Sequence, residues 1–265
     1  VNKAAPGALS GQRVLVTRAS HQAPALADLL AAVGAIPIAI PVMRVDPIGA
    51  PERRRRLRGR IWNGEFDDLV FTSANTVRML LAKAPPGPPP GLRVFAIGPG
   101  TAAALAEFGW HPQVLPEGFI AESLAARMVA LGVSGRRVLL PRAEGARPTL
   151  PELLEAAGAR VETLALYRME PELSQGPRLR EALAEGGLDW ATFTSGSSVS
   201  CFRELAGTLP LPEACAVACI GPVTAAALRR IGIEPSVVAP THSMAGLVEA
   251  LAASCRRLPE NGRRP

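Results

Sequence analysis

Short apolar runs alternate with helical stretches from one end of the chain to the other. Val14 to Thr17, Leu69 to Thr72 and Val94 to Ile97 are apolar on both faces, and each leads into a segment whose apolar residues recur at helical spacing. A strand that is apolar on both faces must be covered on both, and helices on either side of a parallel sheet cover it that way. The pattern predicts an α/β chain built on parallel sheets.

The pattern also occurs twice. Gly11-Gln-Arg-Val-Leu-Val-Thr-Arg18-Ala runs into a helical stretch at Leu26, Leu29 and Leu30 that closes on Gly34-Ala35. Gly135-Arg-Arg-Val-Leu-Leu-Pro-Arg142-Ala is followed in the same way by Leu150, Leu153 and Leu154 and by Gly158-Ala159. A second sentence, Asp67 to Asn75 followed by Arg93-Val-Phe-Ala-Ile-Gly98-Pro99-Gly-Thr101, returns as Asp189 to Ser197 followed by Ala216-Val-Ala-Cys-Ile-Gly221-Pro222-Val-Thr224. Internal repeats of this kind change the fold reading and are named first. The four pieces are A, B, A′ and B′ in chain order.

An A-type piece supplies two strands and a B-type piece three, so one of each makes a five-stranded, doubly wound sheet of flavodoxin-like character. Two such domains follow. The repeat alone does not decide which A joins which B. Tandem domains would divide near residue 130, whereas the extended, proline-flanked stretches Ile36 to Val45 and Val161 to Met169 could instead carry the chain out of a first domain and back, joining A to B′.

Composition narrows the chemistry. With 48% hydrophobic residues in 265, the chain can bury a real core, and with only 4% aromatics that core is aliphatic. The net charge is +6, and since Lys3 and Lys83 are the only lysines, arginine carries it. Guanidinium forks suit carboxylates and phosphates, so an acidic partner is expected. Cys201, Cys215, Cys219 and Cys255 lack zinc-type spacing and read as buried free thiols. No apolar run reaches the length of a membrane span, and Val1 to Leu9 lacks the pattern of a signal peptide, so a cytoplasmic protein without membrane contact is expected. GxGxxG, GxxxxGK[ST] and HExxH are all missing, and His21, His111 and His242 are scattered.

In open parallel sheets ligands bind beyond the carboxyl ends of the strands, where helices begin. Small polar residues gather at those places. Thr72-Ser73-Ala-Asn75 and Thr194-Ser195-Gly-Ser197-Ser198 can cap helices and leave backbone N–H groups for an anion. Gly98-Pro99-Gly-Thr101 and Gly221-Pro222-Val-Thr224 repeat the device at the next strand ends, with glycine permitting close approach. Ordinary capping would account for any one of these turns; four in matching places point to a ligand. Arg18 and Arg142 stand just beyond the first strands of A and A′. Tyr167, the sole tyrosine, either packs or donates to a leaving group. Arg53-Arg-Arg-Arg-Leu-Arg-Gly-Arg60 reads as a solvated helix face in preference to a nucleic-acid contact, because no aromatics interleave it. Residues 256 to 265 read as a frayed end.

Val14-Leu-Val-Thr-Arg18, Phe71-Thr-Ser-Ala-Asn75, Ala96-Ile-Gly98, Leu166-Tyr167-Arg168, Phe193-Thr-Ser195 and Ile220-Gly-Pro222-Val-Thr224-Ala, in that order, make the chain similar to the uroporphyrinogen-III synthase family over about residues 11 to 252. The resemblance implies two α/β domains joined by a two-strand connector, which favours the crossing arrangement. It divides the chain into domain 1 (1–40 and 172–265), domain 2 (44–168) and connectors at 41–43 and 169–171. It also implies that a cleft between the domains binds hydroxymethylbilane, an anionic linear tetrapyrrole, and that a monomer closes its ring without a cofactor. By the same resemblance Tyr167 would assist loss of the terminal hydroxyl. Arg18, Ser73, Asn75, Gly98, Thr101, Arg142, Ser195, Ser197, Ser198, Gly221 and Thr224 would bind substrate. A non-catalytic binder of an anionic metabolite is the rival reading.

Overall fold

The computed structural model describes residues 7–114 and 120–255. The expected frayed end at 256–265 and the first six residues of the N-terminal extension lie outside the described residues. The first half of the chain forms β1 (Arg13–Val16), α1 (Ala23–Ala31), β2 (Ile36–Ala39), β3 (Met43–Pro47), α2 (Pro51–Trp62), β4 (Asp68–Phe71), α3 (Ala74–Leu81), β5 (Arg93–Ala96), α4 (Pro99–Ala106) and β6 (Gln113–Val114). The second half forms α5 (Ala121–Ala130), β7 (Arg137–Ala143), α6 (Thr149–Ala156), β8 (Arg160–Pro171), α7 (Gly176–Glu185), β9 (Trp190–Phe193), α8 (Gly196–Ala206), β10 (Ala216–Cys219), α9 (Pro222–Arg230), β11 (Val237–Val238) and α10 (Met244–Cys255).

Two sheets result. One runs β2-β1-β9-β10-β11, parallel throughout, with strands from A and B′. Taken in chain order this is 2-1-3-4-5, the flavodoxin order. The other runs β8-β7-β4-β5-β6, with parallel pairs, and adds β3 beside β8. Its strands follow the same order once A′ is counted before B, so the chain enters the repeated sheet partway through. The chain divides into two compact units, Val1–Arg44 with Glu170–Pro265 and Val45–Met169.

The second sheet thus has six strands where the repeat predicts five. The cause lies in β8, whose twelve residues run past a register shift at which Leu166 is the extra residue opposite Arg142 and Ala143 of β7. The extra length carries unpaired backbone groups, and β3 satisfies them. Ile48 N–H donates to the Leu166 carbonyl at 2.8 Å and Glu172 N–H to that of Val42 at 3.0 Å, so this added pair is antiparallel.

Burial on both faces, read from the apolar runs, is visible strand by strand. In the second unit Leu69, Phe71 and Leu139 pack with Leu57, Ile61, Leu80 and Trp110 on one face. Val70, Val138 and Leu140 pack with Leu124, Met128 and Leu154 on the other. In the first unit Val14, Val16 and Trp190 meet Leu26, Leu30, Leu247 and Leu251. Thr17 and Thr192, fully buried between β1 and β9, escape the cost of an unpaired hydroxyl by bonding across the pair, to the Thr192 carbonyl at 2.8 Å and the Leu15 carbonyl at 2.7 Å. All four cysteines are free, and burial pushes the Cys201 thiol up to about 11 and the Cys215 thiol up to about 12. Among the described residues no helix is long and apolar enough to cross a membrane.

Candidate active site

In the unit Val45–Met169, the polar turns stand at the carboxyl ends of β4, β5, β7 and β8. Ser73 caps α3 in an extended conformation, and its Oγ accepts the Asn75 N–H at 3.1 Å. The same oxygen accepts the Tyr167 phenol at 3.0 Å. A hydroxyl oxygen has two lone pairs, so with both filled Ser73 is left with its own hydrogen to donate. Tyr167 is 4% exposed and packs among Leu69, Phe71 and Leu166 in the core, so its polar end is reached through Ser73. The ring packs in the core, and the hydroxyl is hydrogen-bonded to Ser73 toward the strand ends.

Gly98 and Pro99 start α4, and Thr101 N–H bonds the Gly98 carbonyl at 3.2 Å. Gly98 has φ −171°, extended backbone open to any residue, and Thr101 is 6% exposed. Arg142, half-buried near the end of β7, donates from Nη2 to the Arg147 carbonyl at 2.5 Å, and burial lowers its pKa. Thr76 Oγ1, fully buried in the first turn of α3, has no hydrogen-bond partner among the described residues.

The other unit presents a second set at the ends of β1, β9, β10 and β11. Arg18 leaves β1 half-buried, with Nη2 on Gln22 Oε1 at 3.1 Å. Its Nε is buried without a partner among the described residues, and desolvation lowers its pKa. A buried guanidinium N–H left unpaired is costly, and a bound carboxylate would satisfy it. Ser195 caps α8 by accepting the Ser198 N–H at 3.1 Å, while Ser198 Oγ returns a bond to the Ser195 carbonyl at 2.7 Å. Ser198 is fully buried, so its hydroxyl is spent inside the turn; Ser197 is the exposed member.

Gly221 begins α9 with Pro222, and Thr224 in its first turn is 3% exposed. Here the missing side chain matters. A Cβ on Gly221 would come within 2.9 Å of Cδ2 of His242, which follows β11. By sequence His242 is one of three scattered histidines. The only signal that could have found it is its place in a third strand-to-helix turn, Pro240 to Ser243, where Ser243 Oγ accepts the Gly246 N–H at 3.0 Å.

Each set thus combines the free N–H groups of two helix starts, α3 and α4 or α8 and α9, with an arginine. Helix starts and guanidinium groups both favour negative charge, and the chain's +6 balance draws anions from a distance. The arrangement can hold several carboxylates and, through Ser73, pass one proton.

A family model described as uroporphyrinogen-III synthase HemD matches residues 24–249. The chain is 29% identical over 254 residues to a uroporphyrinogen-III synthase of Chlorobaculum parvum, covering 92% of this chain and 99% of that protein. It is also 29% identical over 260 residues to a uroporphyrinogen-III synthase of Synechococcus elongatus, covering 94% and 97%. A solved mutant uroporphyrinogen III synthase of Thermus thermophilus shares the fold with a TM-score of 0.60 at 24% identity, covering 94% of this chain and all of that one. With the match spanning most of its length, the chain belongs to the uroporphyrinogen-III synthase family.

Proposed function

We propose that this chain closes hydroxymethylbilane to uroporphyrinogen III, with loss of water and inversion of the last pyrrole. The observation that carries the reading is the pair of matched polar strand ends, each with an arginine, in a chain of this family. The acetate and propionate groups of the substrate meet the helix starts at Ser73, Asn75, Gly98 and Thr101 and at Ser195, Ser197, Gly221 and Thr224, with Arg18 and Arg142 adding charge, while Ser198, whose N–H and hydroxyl are both taken up by Ser195, shapes its turn instead of touching substrate. The two halves of this binding machinery are residues 1–40 with 172–265 and residues 44–168, linked by 41–43 and 169–171. We read the enzyme as a cytoplasmic monomer that needs no cofactor.

The terminal carbon–oxygen bond breaks as the pyrrole nitrogen lone pair pushes into the ring. The departing hydroxyl takes the Ser73 proton, and Ser73 takes that of Tyr167, to which it is hydrogen-bonded. Water leaves and an azafulvene cation remains. The last pyrrole attacks this cation through its already substituted α-carbon to give a spiro intermediate; the older bond from that carbon to its bridging methylene then breaks, the methylene closes on the free α-carbon of the same pyrrole, and the proton lost there restores the phenol. Protons and electrons balance, with one water as the by-product. Because the cation is reactive by itself, most of the protein's task is to hold the chain folded against unrearranged closure.

The experiment is direct. Purified protein is given freshly prepared hydroxymethylbilane, the products are oxidised, and the type III to type I porphyrin ratio is measured. Predominant type III is expected; type I alone overturns the reading.

A further inference from the structure

We propose that the arginine face of α2 docks an acidic, extended segment of a partner protein, at a surface separate from the polar strand ends. The repeat supplies its own control. Helices α2 and α7 do the same job, each covering the sheet just before a B-type first strand, and each buries a leucine and then a residue four positions on: Leu57 and Ile61, Leu179 and Leu183. Arg58 donates to the Leu80 carbonyl at 3.2 Å, in the last turn of α3. Its counterpart Arg180 donates to the Leu205 carbonyl at 3.0 Å, in the last turn of α8. One arginine of this helix is therefore structural in both units.

The rest are not required by that job. α7 carries two arginines and two glutamates, whereas α2 carries six arginines and one glutamate. Like charges three and four residues apart on a helix are destabilising. Their mutual pressure is visible at Arg58, whose pKa is lowered first by burial and then by Arg54 and Arg55. Arg54 reaches the Gly49 carbonyl and Arg60 pairs with Glu162 and Glu65, but Arg53, Arg55 and Arg56 are exposed and make no hydrogen bond or ion pair among the described residues. A helix that bears this repulsion where its twin does not is shaped for something outside the fold.

Arg53, Arg56 and Arg60 lie on one stripe, spaced by three and four, and wall a groove of about 450 Å³ with Leu57, Ala50, Leu164 and a single carboxylate, Glu52, so that three cations outweigh one anion. Leu164 belongs to the first half of β8, where residues 160 to 165 pair with β7 on one side. β3 meets β8 only from Leu166 onward, so among the described residues the other edge of this stretch has no strand. Parallel pairing turns alternate backbone groups to each side, leaving Val161, Thr163 and Ala165 facing that open edge. An extended chain can add to such an edge while its carboxylates meet the arginine stripe. Duplex DNA offers charge but no backbone for a strand edge, and the stripe lacks aromatics; a peptide fits both features.

The test uses the whole chain and a fluorescent twelve-residue peptide of alternating glutamate and valine, with binding read by anisotropy. Saturable binding is expected, falling steeply with added salt and about tenfold weaker in the R53E/R56E double variant. R178E, on the matching face of α7, should bind as the parent does, and synthase turnover should be unchanged in both variants. If R53E/R56E folds poorly, R53Q/R56Q serves the same purpose. The proposal is overturned by absent saturable binding, by equal binding in the double variant, or by a duplex DNA of similar length binding more tightly than the peptide.

Discussion

The two units open their third strands alike and then part. Asp67 accepts the Arg137 N–H at 2.8 Å and Asp189 accepts the Arg13 N–H at 2.7 Å, and each aspartate pairs its own backbone with the same two strand starts. The next residue differs. Asp68 is fully buried, with Arg93 bidentate at 2.7 Å and Arg136 at 2.8 Å. Trp190, its counterpart, donates from Nε1 to Gln12 Oε1 at 3.2 Å, and Gln12 is the counterpart of Arg136. One pair of positions is thus joined by charge in one unit and by an indole and an amide in the other. What the repeat preserves is geometry. Any chemistry that satisfies the buried groups is accepted at these amino-terminal strand ends, whereas the carboxyl ends keep serine, glycine and threonine in both copies.

The sharpest way to break the comparison is to remove each partner in turn. Asp68→Ala strands two arginine side chains that keep only 24% and 29% of their exposure, and should cost about 3 kcal/mol in urea unfolding. Gln12→Ala takes one neutral acceptor from the Trp190 indole, which keeps the Cys255 thiol beside it, and should cost about 1 kcal/mol. Equal losses would mean that the charge is incidental.

At the carboxyl ends the copies differ at Asn75 against Ser197 and at Thr76 against Ser198, and most sharply at one position that can move a proton. Tyr167 falls where A has Met43, so only one unit can feed a proton to its capping serine. Tyr167→Phe should lower kcat by about ten- to a hundredfold, near the bottom of the range for a general acid, with KM little changed. An unaltered kcat and isomer ratio would remove Tyr167 from the mechanism. The caps themselves give a smaller contrast. Ser195→Ala should cost about 1 kcal/mol of stability as a lost helix cap. Ser73→Ala should cost about 2 kcal/mol, because it also orphans a buried phenol. Thermal unfolding of the two variants checks the order.

Much of this was legible in the sequence because it depends on neighbours along the chain. Burial of Leu69, Val70 and Phe71 on two faces follows from their succession, and the Ser73 and Ser195 caps follow from residue type beside a helix start. The strand pairing of β3 with β8 was not legible, since it depends on where a bulge sets the length of β8. Nor was the closure of Ser198 on its own turn, which only the geometry of α8 decides, or the approach of His242 to Gly221 from a distant turn. Arg18 stands beyond β1 as its sequence position implies, whereas Arg142 lies inside β7, because that strand goes on pairing with β8 as far as Ala143; the unpaired Nε of Arg18 is a fact of packing.

Acid separates the units by the smallest margin. The Arg137 guanidinium, with its backbone N–H, holds the Asp67 carboxyl at about 2, below its ordinary value of 3.8. Arg78 lowers Glu107 and Arg60 lowers Glu162 in the same unit, while Arg229 does so for Glu234 in the other. A carboxyl with a depressed folded pKa contributes stability that is full above its unfolded value and is lost as pH falls through the folded one. For Asp67 that window runs from about pH 4 to about pH 2. Three such carboxylates against one, among the described residues, make the unit Val45–Met169 the more acid-sensitive. All four are partly or well exposed, so each contributes little. Limited digestion with pepsin across this range, with fragments mapped by mass spectrometry, should give first cuts inside 45–169. Asp67→Asn should change the onset of cutting little at about pH 2, where the carboxyl is already half protonated, and advance it at about pH 4. First cuts in the other unit would show that its indole–amide pair, not the arginine network, is the weaker join.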